Sequence, residues 1–212
     1  MPREPELGES NGIRAQFKSL PAEVRTTDMA DEDPLQARYA TSHELMDLVR
    51  YTAETLSLDF TRWGEEYVTG PGLYVLIVAD IDFGDYTDPL GANTWPVEQC
   101  RVVSDQPGAF LDAARDVALS RDGAVVIAVD GTLQEQMVRV RNLDDAEADR
   151  GDGIVAADWM GTKHLSALEA STRDQVLWAV TLSEENGRVT TFLDGEYRDY
   201  EHEDLGGRWR PD

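Results

Sequence analysis

The spacing of apolar residues changes several times along the chain, and each change marks an element. Leu45, Leu48, Val49, Thr52 and Leu56 recur at the spacing of one helical face. Thr41 or Ser42 can cap that helix, and Thr41 with Glu44 has capping-box spacing, so the helix is predicted to start at 41. His43, beside the cap, reads as a surface residue. The run 73-LYVLIVADI-81 is continuously apolar and β-branched, as expected of a strand buried on both faces. Residues 82–96 carry several Gly, Pro, Asn and Asp and read as a loop. Pro107 opens a second helix with Phe110, Ala113, Ala114 and Val117 on one side.

Residues 122–143 read as strand, Asp130-Gly131 turn and strand, a hairpin. An acidic loop follows over 144–153, then a third helix over roughly 163–172. Strands at 175–182 and 188–193 flank the turn 184-EENG-187, and Asp194-Gly195 forms another turn. The order helix, strand, helix, hairpin, helix, hairpin predicts a single α/β (α+β) domain, a mixed β-sheet with flanking helices. Its expected limits are 41–197. A polar arm, 1–40, precedes it, and a charged tail, 198–212, follows and is expected to fray.

Composition narrows the setting. The 212 residues include 42 acidic and 19 basic ones, a formal net charge of −23. The acid is spread along the whole chain, which fits a surface adapted to high salt better than one acidic partner site. The composition, rich in Asp and poor in Lys, resembles that of haloarchaeal cytoplasmic proteins. A basic surface for nucleic acid is not expected. Cys100 is the lone cysteine, so no intrachain disulfide can form, and a cytoplasmic setting is expected. The opening residues MPREPELGES have no apolar core of a signal peptide, and the longest apolar run is far too short to span a bilayer, so no membrane partner is expected.

Two short stretches could carry chemistry. Asp122-Gly123-Ala124 stands immediately before an apolar strand. It is either a plain turn or a place where Gly and Ala let a ligand approach the backbone while Asp offers a carboxylate. Gly161-Thr162-Lys163-His164 opens the third helix. Thr162 could simply cap the amides that follow. Lys163, however, is a cation in the first turn, against the helix dipole, in a chain whose only other lysine is Lys18. Free amides, a hydroxyl and an ammonium could instead form a phosphate site, with His164 as a metal ligand or hydrogen-bonding group.

The two stretches, in this order and about 40 residues apart, are followed by a strand and 183-SEENG-187. Together they resemble the diadenylate cyclase family, whose domain carries a DGA motif, a GTRHRAA-type motif and a strand ending in SEETG. The match is best over 107–193 and resembles the soluble archaeal branch. The family's Arg-His-Arg is Lys163-His164-Leu165 here, so Leu165 carries no role over. The resemblance implies a diadenylate cyclase domain that condenses two ATP into cyclic di-AMP, a second messenger, and two pyrophosphates. It implies Asp122 as the acceptor for the 3′-hydroxyl proton and Gly123 and Ala124 beside the ribose. Gly161, Thr162 and Lys163 would lie at the phosphates, with Ser166 and Ser183 as secondary contacts. Glu184 would be a polar neighbour, unless it is only a surface turn residue. His164 would bind Mn2+ or Mg2+, and adenine would lie near Met137 to Arg139. Two sites must face each other, so at least a symmetric dimer is expected. The alternative is a non-catalytic adenine-nucleotide module on the same fold.

Overall fold

Pro34 is the first residue of α1 (Pro34–Asp59), where its missing amide donor costs nothing. The computed structural model describes residues 34–145 and 147–207, with the side chains of 34–41 and 148 left aside. The arm expected over 1–40 lies outside the described residues as far as position 33, and 34–40 are helical. Thr41 and Ser42 therefore sit inside α1, well past its start. Leu45, Val49, Thr52 and Leu56 are buried, as the helical spacing required, and Leu48 is partly so. His43 is exposed, its ring 5.1 Å from that of Trp178.

The remaining elements are β1 (Leu73–Val78), β2 (Thr87–Thr94), α2 (Pro107–Ser120), β3 (Val125–Ala128), β4 (Gln136–Val140), α3 (Ala148–Gly151), α4 (Thr162–Ala170), β5 (Val176–Leu182), β6 (Val189–Leu193) and β7 (Glu196–Tyr200). Five strands form one mixed sheet in the order β3-β1-β5-β6-β7. β1 pairs parallel with β3, Val75 opposite Val125 and Ile77 opposite Ile127, and the other pairings are antiparallel. All six residues of β1 are buried, because apolar layers cover both faces of the sheet. On one face Val49, Leu56, Phe110 and Val117 of α1 and α2 meet Val75, Ile77 and Val180. On the other, Ala167 and Leu168 of α4 meet Leu76, Val126 and Phe192. This is the expected mixed sheet with flanking helices. No helix among the described residues is long and apolar enough to cross a membrane.

Two expectations change. The loop read over 82–96 contains β2, which pairs antiparallel with β4 in a separate two-stranded sheet, Thr87 opposite Val140 and Asp88 opposite Arg139. Pro89 and Gly91 hide this strand in the sequence, and its register is irregular between Pro89 and Thr94. Trp95 closes the segment against the core, its Nε1 donating to the Cys100 carbonyl at 2.8 Å. The hairpin read over 122–143 is divided between the two sheets: β3 joins β1 and β4 joins β2. Only the bridges Ala124 to Val138 and Ile127 to Leu133 link its arms.

Of the tail read over 198–212, residues 198–207 are described, and they carry on the fold. β7 runs to Tyr200, whose ring lies 3.9 Å from the Arg50 guanidinium carbon and whose hydroxyl accepts from Arg50 Nη1 at 3.2 Å. Arg50 also holds the buried Glu54 at 2.6 Å, and the Gly206 amide donates to the second Glu54 oxygen at 3.1 Å. A buried ion pair is tolerable when its remaining valences are filled in this way.

Candidate functional site

The two sequence stretches meet. The turn before β3, the middle of β4, the start of α4 and the turn after β5 surround one cavity of about 560 Å3. That lies within the range of small-molecule sites, roughly 300–1,000 Å3.

At one wall, Gly123 has φ +100°, a conformation that favours glycine. A Cβ there would stand 2.9 Å from the Val138 carbonyl oxygen and 2.2 Å from Leu90 Cδ1. Ala124 exchanges two backbone hydrogen bonds with Val138, at 2.7 and 3.0 Å. The missing side chain thus lets the strands close up and leaves Asp122 at the rim. Asp122 is exposed, and its Oδ1 accepts the Gly123 amide at 2.7 Å. Its second oxygen has no hydrogen-bond partner among the described residues.

At the facing wall, Gly161 is the N-cap residue of α4, and no side chain caps the helix. Thr162, a candidate cap in the sequence, is instead the first helical residue and lines the cavity. The Lys163 ammonium lies 3.9 Å from Glu184 Oε2. An uncapped helix start with a lysine in its first turn is a place for an anion.

His164 is buried, and its Nε2 has no hydrogen-bond partner. Burial, aided by the Lys163 charge, pulls its pKa down to about 4. The imidazole is therefore neutral near pH 7, the form that ligates metals. Among the described residues no group of three or more His, Cys, Asp or Glu could hold a metal. An ion at His164 would thus take most of its other ligands from substrate oxygens and water. His164 lines the cavity, and its neutral Nε2 is buried and without a hydrogen-bond partner, so an ion in the cavity would reach that nitrogen only after a shift of the ring.

Ser166 lies 3.5 Å from the Tyr74 hydroxyl, whose pKa burial pushes well above its ordinary value. Ser183 Oγ accepts the Glu185 amide at 3.4 Å, and both Ser183 and Glu184 line the cavity. Met137 does not. It is 1% exposed and packs in the core with Phe110 and Trp95, while its neighbours Val138 and Arg139 line the cavity. Alternation along β4 puts Val138 and Val140 in one apolar layer and Met137 in the opposite one.

Two residues were missed in the sequence. Trp159 stands on the wall, edge-on to His164, and the Arg188 guanidinium lies 4.3 Å from its ring centroid. Arg188 is itself held by Asp199 and by Glu201 at 3.0 Å. The available signals were a tryptophan two places before Gly161 and an arginine directly after 183-SEENG-187.

No protein-family model matches the chain, and no curated protein matches it. Solved structures do. One is the crystal structure of a double mutant of DacA from Staphylococcus aureus, with TM-score 0.46 and 16% identity, covering 77% of this chain and 91% of that one. Another is the hypothetical membrane spanning protein from Bacillus cereus, with TM-score 0.49 and 13% identity, covering 79% of this chain and 68% of that one. Both TM-scores fall below 0.5, and no residue role passes from either protein to this one.

Proposed function

We propose that the chain is a diadenylate cyclase, condensing two ATP into cyclic di-AMP and two pyrophosphates. The observation that carries this reading is the meeting of Asp122-Gly123-Ala124 with Gly161-Thr162-Lys163-His164 across one nucleotide-sized cavity. In each half-reaction the 3′-hydroxyl oxygen of one nucleotide bonds to the α-phosphorus of the other. The bond from that phosphorus to the bridging oxygen breaks, and pyrophosphate leaves. The hydroxyl proton passes to Asp122.

The rest of the site positions and neutralises. The amides at the start of α4, the Thr162 hydroxyl and the Lys163 ammonium would hold phosphate oxygens. Gly123 and Ala124 would admit the ribose against the backbone. Adenine would lie against Val138 and Arg139. A divalent cation, Mn2+ or Mg2+, bound beside His164 Nε2, would offset phosphate charge during the displacement. One cavity holds one ATP, so two copies must bring their cavities face to face, in at least a symmetric dimer.

A non-catalytic nucleotide-binding module is the second reading. Leu165 favours it: 39% exposed, it places an apolar side chain where the family carries an arginine. Incubation of the full chain with ATP and Mn2+ at high salt, followed by mass spectrometry, separates the two. Cyclic di-AMP is the expected product. A folded chain that binds ATP and yields none would overturn the enzyme reading in favour of the module.

A further inference from the structure

Gly72 precedes β1, and its backbone does not call for glycine: its φ is outside the left-handed region. Its amide donates to the Ala118 carbonyl at 2.9 Å, a bond that alanine would keep. The obstacle to a side chain is the ion pair beside it. A Cβ would stand 2.7 Å from Lys163 Nζ, 2.9 Å from Glu184 Oε2 and 3.2 Å from Glu184 Cβ. At Gly123, by contrast, a backbone carbonyl blocks the space. Gly72 does not line the cavity, whereas Lys163 and Glu184 do.

We infer that Gly72 is a positioning residue: its missing side chain is the seat in which the Lys163 ammonium meets the Glu184 carboxylate, and that seat aims Lys163 at the substrate phosphates. The link to phosphate rests on the proposed ATP reaction; the seat itself does not. Glu184 acts as the back-stop of the lysine. At 3.9 Å the pair is long enough for an incoming phosphate to share the ammonium. Alanine at 72 would leave the fold intact and push the ends of both side chains out of register with the cavity.

The chain has only two lysines, Lys18 and Lys163, so reductive 13C-methylation gives lysine signals that are readily told apart. In Gly72→Ala the Lys163 signal is expected to move and the Lys18 signal to stay. The Kd for ATP with Mn2+ is expected to rise about tenfold, the loss of one charge-assisted hydrogen bond. The thermal midpoint is expected to hold. Adding Glu184→Ala frees room in the seat, so the double variant is expected to recover affinity relative to Gly72→Ala, a coupling that independent sites would lack. An unmoved Lys163 signal in Gly72→Ala, or purely additive effects, overturns the proposal. Should Gly72→Ala fail to fold, Glu184→Ala alone must still move the Lys163 signal, and no movement overturns it equally. If the signals move as expected but the unsubstituted chain binds no ATP, the nucleotide reading falls and the seat stands.

Discussion

Trp159 meets His164 edge to face, their ring centroids 5.0 Å apart and their planes at 83°. The contact helps to keep water from an imidazole whose pKa already lies near 4, below its ordinary 6.5. The unfolded chain therefore binds a proton at His164 between about pH 6.5 and pH 4 that the folded chain does not. The stability tied to the neutral ring is fully present above about pH 6.5 and is lost as the pH falls through 4. At most about 3 kcal/mol is at stake. Urea unfolding at pH 7 and pH 4.5 should show a smaller loss for His164→Leu than for the unsubstituted chain. Equal losses would remove His164 from the account.

Asp122→Asn should keep the side-chain oxygen that accepts the Gly123 amide and so preserve the turn. ATP affinity should change little, while turnover should fall at least about 100-fold, because the amide cannot take the proton. Binding and product formation measured on one preparation decide the matter. A parallel loss of both would make Asp122 a structural residue.

Gly123→Ala should destabilise the fold by about 1–3 kcal/mol, because the new Cβ meets the Val138 carbonyl in a backbone conformation that alanine avoids. Denaturant midpoints measure this. Pairing it with Leu90→Ala should recover only part of the loss, since the carbonyl stays in place. Full recovery would show that the side-chain clash alone mattered.

A net charge of −23 repels itself, and salt shortens the reach of that repulsion from about 10 Å at 0.1 M to about 3 Å at 1 M. The thermal midpoint should rise steadily over that range of KCl, and cyclic di-AMP formation should rise with it. A midpoint that is flat or falling would disconnect the acidic surface from salt adaptation.

What is legible in the sequence follows from how local each signal is. The run from Leu73 and the spacing from Phe110 to Val117 each report burial by themselves; the helix stands, and the strand read over 73–81 stands as far as Val78, with 79–81 exposed. Asp122 and Lys163, 41 positions apart in the chain, line one cavity. β2 is not legible, because a proline and a glycine interrupt a strand whose support is its partner β4. Met137 is misplaced for a related reason. Its side depends on which strand β4 pairs with, and β4 pairs with β2 instead of completing a hairpin with β3. Trp159 and Arg188 form their stack only once α4 and β6 have packed, so no local pattern announces it.

The Gly206 amide and the Tyr200 ring act as surrogate solvent for the Arg50-Glu54 pair inside α1. A chain shortened after Tyr197 would leave that pair partly unsolvated without removing it, the costly way to break a buried charge network. The working end of the folded unit is therefore set by a carboxylate in its first helix. A fusion joined at Tyr197 would loosen α1, far along the chain from the cut.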